Sequence, residues 1–214
     1  MNKPLIKIFT GMVLLLSTII LVCNLANSEE PAGKEISVVL DPAFGGTETG
    51  AVGCWGLREK DIVLDVAIRT KEYLEKANPA MKVYLTRTED EAVSEKEREE
   101  SIQALSPALV VRLRMNFSKK TDASGLSVCY DKGNMESKRL AEIISAEIAN
   151  RVIKDMVPNE GIKLSEIYRD VKVPAAEVFL GYITNQNIEV NFKSPKVKEA
   201  FAKSIGMAIV QYLK

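Results

Sequence analysis

The chain has 214 residues, of which 46% are hydrophobic and 6% aromatic, a length and composition suited to one domain with a hydrophobic core. Lysine and arginine together number 29, as do aspartate and glutamate, so the formal net charge is zero. This balance excludes the strongly basic surface that nucleic-acid binding requires. The sequence also contains no histidine, which removes the commonest metal ligand and general base.

The first 28 residues have the composition of an export signal. Lys3 and Lys7 precede an apolar run over residues 8–22, and small residues follow at 26–28. A charged start, an apolar middle and a small-residue end are typical of a cleaved secretory signal. The alternative is an uncleaved membrane anchor, since residues 5–25 are long enough to span a bilayer. Either way we expect an exported protein of the periplasm or cell envelope, which would touch the membrane only through this segment.

A linker is expected at residues 29–35 and a single domain at residues 36–214. Within that domain, short β-branched runs predict strands, and apolar residues at helical spacing predict helices. The predicted strands are 36–40, 81–86, 109–115, 125–130 and 176–183, and the predicted helices are 61–77, 94–105, 137–156 and 194–213. This alternation predicts an α/β fold: a single twisted, mostly parallel sheet with helices on both faces.

Three strand ends are expected to form the functional site, because ligands of such sheets bind beyond the carboxyl ends of the strands. They are the glycine-rich loop that follows Leu40, the end of the third strand near residues 114–116, and residues 180–185. On the third strand, the two-residue period of a strand places Arg112 and Arg114 on one face.

Two cysteines remain beyond the signal, Cys54 and Cys129. We expect no disulfide between them, because two isolated cysteines are more often not bridged, and no CxxC spacing indicates a structural metal. Cys54 lies in the glycine-rich loop, but without a histidine to activate it we expect an inert thiol.

Motifs at the three strand ends resemble those of the zinc-dependent N-acetylmuramoyl-L-alanine amidases. Residues 40–46 read LDPAFGG where that family has LDPGHGG, and residues 109–116 read LVVRLRMN where it has LFISIHAN. Residues 174–185 read PAAEVFLGYITN where it has PAVLVELGFLSN. The segments 50–64, 85–98 and 161–163 are similar to further family landmarks, in the same order. The resemblance covers the chain from about Ile36 to Lys214 and implies the amidase fold.

The resemblance also implies a zinc ion held by two histidines and a glutamate, with a second glutamate as general base. In this sequence the loop histidine position is Phe44, the first glutamate survives as Glu59, the strand histidine position is Arg114 and the catalytic glutamate position is Phe179. Catalytic zinc needs about three protein ligands with lone pairs. A phenyl ring and a guanidinium supply none. The sequence therefore predicts that no cofactor is bound and that the family's zinc is lost.

Two interpretations of Glu59 remain open. Arg114 could occupy the space of the metal and pair with Glu59, since a guanidinium fork suits a carboxylate. Alternatively, Glu59 is a solvated carboxylate on a loop. The candidate ligand-binding residues lie at the same strand ends and are Glu59, Arg112, Arg114 and Asn116. The two arginines could bind the carboxylates of a peptide stem. Alternatively, they form a solvated or locally paired face.

From these residues the sequence predicts a catalytically inactive, amidase-like envelope protein, a pseudoenzyme. We expect it to bind peptidoglycan fragments or an envelope protein partner, with regulation of wall hydrolysis as a role. One alternative is an amidase or other wall hydrolase that is active through a rearranged site. A second alternative is a non-catalytic envelope scaffold or assembly protein.

Overall fold

The computed structural model describes residues 36–152, 158–159 and 171–214. The predicted signal, the predicted linker and the motif at 161–163 lie outside these residues. Within the described ranges, no helix is both long enough and apolar enough to cross a membrane.

Six strands within the described residues form one sheet in the order β2-β1-β3-β6-β4-β5. They are β1 (Ile36–Pro42), β2 (Met81–Leu85), β3 (Leu109–Asn116), β4 (Leu126–Cys129), β5 (Pro158–Asn159) and β6 (Ala175–Tyr182). Strands β2, β1, β3 and β6 are parallel to one another, whereas β4 runs antiparallel to β6 and parallel to β5. The sheet is therefore mixed but mostly parallel, as predicted.

Helices cover both faces of this sheet, which confirms the predicted fold class. They are α1 (Glu59–Ala77), α2 (Glu95–Leu105), α3 (Met135–Arg151), α4 (Gln186–Phe192) and α5 (Pro195–Tyr212). On the first face, Val111 and Leu113 of β3 share one apolar core with residues of α1, α3 and α5. On the second face, Val39 and Val110 pack against Ile102 of α2. Each such buried side chain contributes about 1.5–3 kcal/mol to folding.

The structure differs from the sequence prediction mainly at short elements. Helix α4 has seven residues and was not predicted, because so short a segment contains barely two helical turns of apolar periodicity. It begins where the side chain of Asn185 accepts hydrogen bonds from the backbone N–H groups of Asn187 and Ile188. The two-residue strand β5 was also not predicted. Helix α3 starts two residues before the predicted start, after its cap Asn134.

Candidate functional site

The second face of the sheet becomes charged toward the carboxyl ends of its strands. Asp41 of β1, Arg112 and Arg114 of β3, and Glu177 of β6 lie on neighbouring parallel strands. Asp41 is level with Arg112, Arg112 with Glu177, and Arg114 with Phe179. The alternation that buries Val110 on this face therefore also directs the charged side chains to it.

Glu59 is the first residue of α1 and is almost completely buried, with 1% of its surface exposed. Its Oε1 accepts hydrogen bonds from Arg114 Nε at 2.9 Å and from the Met115 backbone N–H at 2.8 Å. Its Oε2 accepts one from the Ala51 backbone N–H at 2.9 Å. The start of a helix also favours a negative charge. Glu59 is therefore a fully bonded carboxylate and not a solvated one.

Arg114 lies at the centre of the cleft, with contacts on four sides. Besides Glu59, its Nη1 approaches Glu177 Oε1 at 3.5 Å. Its guanidinium carbon lies 4.6 Å from the centre of the Phe44 ring and 5.6 Å from the centre of the Phe179 ring. Both distances are within the range of a cation–π interaction. About a quarter of the side chain (23%) stays exposed.

Phe44 has a backbone φ of +60°, a left-handed conformation that bulky residues rarely adopt. Such a residue costs of order 1–3 kcal/mol and needs its surroundings to hold it. Arg98 does so by donating a hydrogen bond from Nη2 to the Phe44 carbonyl at 2.8 Å. Gly50 is equally restricted, because a Cβ there would lie 2.5 Å from the Phe44 ring and 2.7 Å from Glu59 Oε2.

A buried ion-pair cluster lies beneath Arg114. Arg112 binds Glu95 of α2 through two hydrogen bonds of 2.9 and 2.7 Å, and its Nε lies 3.5 Å from Asp41 Oδ2 and 3.8 Å from Glu177 Oε1. Asp41 is also paired with Arg98 of α2. The hydrogen bonds from Arg112 hold the pKa of Glu95 below its ordinary value. The cluster fixes both Glu177 and the base of β3.

The glycine-rich loop is held in place by two cations, Lys60 of α1 and Arg87, which follows β2. Lys60 Nζ donates to the Gly46 carbonyl at 2.6 Å and binds Asp90 Oδ2 at 2.7 Å. The hydrogen bond from Lys60 lowers the pKa of Asp90. Arg87 is buried and donates to four backbone carbonyls, those of Pro42, Ala43, Lys60 and Glu89. Burial, followed by the nearby charge of Arg98, lowers the pKa of Arg87.

Another buried carboxylate, that of Glu189 in α4, organises the loop over residues 53–57. It accepts hydrogen bonds from the backbone N–H groups of Trp55 and Leu57 at 2.8–3.0 Å and from Cys54 Sγ at 3.1 Å. Burial alone would raise the pKa of Glu189, but the N–H groups of Leu57 and Trp55 bring it below the ordinary value. The hydrogen bond to Glu189 raises the pKa of the Cys54 thiol, which opposes formation of a thiolate.

The structure brings together most of the residues singled out in the sequence. The hypothesised Glu59–Arg114 ion pair is present, with Phe44 and Phe179 beside it. Arg112 is only 2% exposed, because Glu95 covers it, so it cannot contact a ligand directly. Asn116 is partly buried and donates to Ser127 Oγ at 3.5 Å. No disulfide joins Cys54 and Cys129, as expected; Cys54 is exposed and Cys129 is buried in β4.

Sequence reasoning missed Glu177, Asp41, Glu95 and Arg98. The signal for Glu177 was available: it lies two residues before Phe179 on the same strand, and the two-residue period places both on one face. The contribution of Glu95 and Arg98 could not be deduced, because it depends on how α2 lies across the sheet.

The described residues do not fit the zinc ion that the fold family implies. Within the described ranges, no group of three or more histidine, cysteine, aspartate or glutamate side chains could hold a metal ion. Glu59 and Glu177 approach one another only through the cation of Arg114. Phe44 and Phe179, the other neighbours of the guanidinium, carry no lone pairs.

These features define the class of the protein: an α/β protein with a mixed sheet and a charged cleft at the carboxyl ends of its parallel strands. The chain belongs to the N-acetylmuramoyl-L-alanine amidase family, whose model matches residues 38–211. This confirms the family suggested by the sequence motifs.

Relatives and solved structures agree with this assignment. The chain is 38% identical over 99 residues to the N-acetylmuramoyl-L-alanine amidase AmiC of Escherichia coli O6:H1, a match that covers 45% of this chain and 24% of the relative. It is 25% identical to the germination-specific N-acetylmuramoyl-L-alanine amidase of Bacillus subtilis, covering 82% and 78%. The structure is similar to the amidase AmiC2 of Nostoc punctiforme, with a TM-score of 0.75, 28% identity, and coverage of 84% and 97%. The chain thus matches about a quarter of the length of the first relative.

The comparisons contradict the prediction of a catalytically inactive protein. The family and the matched relatives are amidases by name, and they support an amidase function for this chain. The prediction was wrong because it equated the loss of one set of zinc ligands with the loss of all activity. The changes at Phe44, Arg114 and Phe179 define which side chains line the cleft, and activity is a separate property.

Proposed function

We propose that the chain acts on peptidoglycan in the cell envelope, with N-acetylmuramoyl-L-alanine amidase activity as the function that its family supports. The observation that carries this proposal is the family match over residues 38–211, together with a cleft built at the same strand ends that carry the family's motifs. The activity splits the amide bond between the lactyl carbonyl of muramic acid and the nitrogen of L-alanine. Water supplies the hydroxyl group to the carbonyl carbon and a proton to the amine.

Arg114 is the cleft residue that we assign to ligand binding. It lies near the end of β3, and its side chain is 23% exposed. A guanidinium binds a carboxylate through charge-assisted hydrogen bonds, and the peptide stem of peptidoglycan carries carboxylates. Asn116, which follows on the same strand, adds an amide that can donate or accept. Glu59 and Glu177 orient Arg114 from within, and Arg112 in turn holds Glu177.

We infer that the cleft acts without the family's zinc, because the described side chains near Glu59 do not supply enough ligands to hold a zinc ion. The residues of this chain bind and orient the ligand through the exposed part of Arg114, and the rings of Phe44 and Phe179 pack against the guanidinium. The exported location is supported by the N-terminal segment and by a matched relative from Staphylococcus aureus that is named a probable cell wall amidase. An envelope protein partner is compatible with this function but is not needed for it.

The test uses the purified protein and a muramoyl-peptide with free stem carboxylates. Released peptide is followed by mass spectrometry, and affinity by calorimetry. A charge-assisted hydrogen bond contributes about 1.5–3 kcal/mol, so Arg114→Met should weaken binding roughly 10-fold or more. Lys96→Met is the control, because Lys96 lies on the exposed surface of α2 and its side chain is 83% exposed.

A second ligand, with its stem carboxylates amidated, tests the assigned contact. It should bind the unmodified protein as weakly as the acidic ligand binds the Arg114→Met variant, and the variant should not distinguish the two ligands. Binding without peptide release would contradict the amidase activity. Equal affinity of both proteins for the acidic ligand would contradict the role of Arg114.

A further inference from the structure

We propose that the guanidinium of Arg114 takes the place of a metal ion in this cleft. It is a cation supplied by the chain itself, which neutralises two buried carboxylates and excludes a divalent ion from the same space. The inference goes beyond the proposed function, because it concerns the internal charge balance of the cleft and not the ligand. Metal content and thermal stability test this inference, whereas peptide release and ligand affinity test the proposed function. Either one can therefore be contradicted without the other.

Two carboxylates contact the guanidinium, one from a helix and one from a strand. Glu59 reaches Nε at 2.9 Å from the start of α1, and Glu177 reaches Nη1 at 3.5 Å from β6. Both carboxylates are 2% exposed or less. Burial of a carboxylate without a compensating charge is strongly unfavourable. A cation between them lowers this cost, and in this structure that cation is Arg114.

Aromatic rings also pack against the guanidinium. Phe44 and Phe179 present ring faces that attract a cation but coordinate no metal. Phe44 adopts its left-handed backbone conformation with the support of Arg98, and Phe179 lies level with Arg114 across two paired strands. The surroundings thus favour a flat organic cation over a divalent metal ion.

Glu177 is the second of the two carboxylates beside Arg114. It lies two residues before Phe179 on the same face of β6 and is level with Arg112, so its carboxylate lies next to Arg112. Glu177 therefore lies between two arginines, 3.5 Å from Arg114 and 3.8 Å from Arg112. A zinc ion placed beside it would be repelled by both guanidinium groups.

The experiment compares zinc binding by the unmodified protein and two double variants, measured by competition with a chromophoric chelator and by thermal unfolding. Phe44→His with Arg114→His places two imidazoles beside Glu59, the three ligands that a catalytic zinc site needs. It should bind close to one equivalent of zinc, with a rise in Tm. Phe44→Ala with Arg114→Ala opens similar space without imidazole ligands, and it should bind zinc far more weakly than the histidine variant, whereas the unmodified protein should bind no stoichiometric zinc. Circular dichroism confirms that each variant is folded.

A rescue measurement keeps the inference testable if the histidine variant does not fold. Arg114→Ala alone should have a lower Tm than the unmodified protein, and millimolar methylguanidinium should restore part of the loss. Methylammonium, a cation without the planar fork, should restore less. Stoichiometric zinc in the unmodified protein would overturn the inference, as would a folded histidine variant without zinc or an absent response to methylguanidinium.

Discussion

The Glu59–Arg114 pair shows how a family cleft can keep one charged residue after its neighbours have changed. Glu59 accepts hydrogen bonds from Arg114 and from the backbone N–H groups of Ala51 and Met115. Its carboxylate therefore links the loop at Ala51 to the end of β3. At the residue scale, therefore, Glu59 has a structural role that does not depend on a metal.

Glu59→Gln should destabilise the protein by about 1–3 kcal/mol, because Nε of Arg114 loses its charged hydrogen-bond acceptor. The amide oxygen can still accept from one backbone N–H group, which limits the loss. The measurement is urea unfolding at neutral pH. The control is Glu100→Gln, which removes an exposed pair with Lys96 at 3.6 Å and should change stability by less than about 0.5 kcal/mol. Equal effects of the two substitutions would contradict the buried role of Glu59.

Residue types and strand spacing were sufficient to predict which side chains line the cleft. Phe44, Glu59, Arg114 and Phe179 were assigned to one site from motif order, and they lie together in the structure. What could not be predicted was accessibility. Arg112 and Arg114 are equivalent by strand period, yet only Arg114 is open to the cleft, because Glu95 of α2 covers Arg112.

At the scale of elements, the loop over residues 53–57 depends on a close approach to α4. A Cβ on Gly53 would lie 2.2 Å from the Glu189 carboxyl carbon, closer than any side chain can tolerate. The carboxylate would have to leave the N–H groups of Trp55 and Leu57, which would separate the loop from α4.

Gly53→Ala should therefore destabilise the protein by about 1–3 kcal/mol and change the fluorescence of Trp55. Trp55 is the single tryptophan of the chain, so the emission reports this loop alone. Gly133→Ala is the matched control, since a Cβ there meets its nearest neighbour at 3.6 Å, an ordinary contact. Unchanged emission in the Gly53 variant would show that Glu189 does not hold the loop as described.

The long elements were predictable because their apolar period extends over several turns or a whole strand. Strands β1, β2 and β3 and helices α1, α2 and α5 lie within two residues of their predicted bounds. Helix α2 begins directly after a capping box in which Ser94 and Glu97 exchange hydrogen bonds. The short elements α4 and β5 depend on tertiary contacts and leave little periodic signal in the sequence.

At the scale of the whole molecule, the sequence has equal numbers of acidic and basic residues, and many of those in the described part of the chain form ion pairs. Several carboxylates have a pKa below the ordinary value for this reason. Hydrogen bonds from Lys60 lower that of Asp90, and hydrogen bonds from Arg112 lower that of Glu95. Burial raises the pKa of Asp65, but ion pairs with Lys198 and Arg69 outweigh it.

A lowered pKa means that the folded state binds fewer protons than the unfolded state. The stabilisation is therefore complete above the carboxyl pKa of the unfolded chain, about 4, and is lost as the pH falls through the lower values of the folded state. Thermal unfolding should give a nearly constant Tm from pH 7 to about pH 5 and a steep fall below about pH 4. Glu95→Gln should make that fall shallower. A Tm that stays level or rises between about pH 5 and pH 3 would contradict this description.

The most direct measurement of the central claim, that Arg114 supplies the cation of an amidase-family cleft, is a crystal structure of the protein after soaking with zinc, with anomalous data at the zinc edge. We expect guanidinium density between Phe44 and Phe179, within hydrogen-bond distance of Glu59, and no anomalous peak there. A peak coordinated by Glu59, with Arg114 displaced from the cleft, would show that a metal ion and not Arg114 supplies the cation.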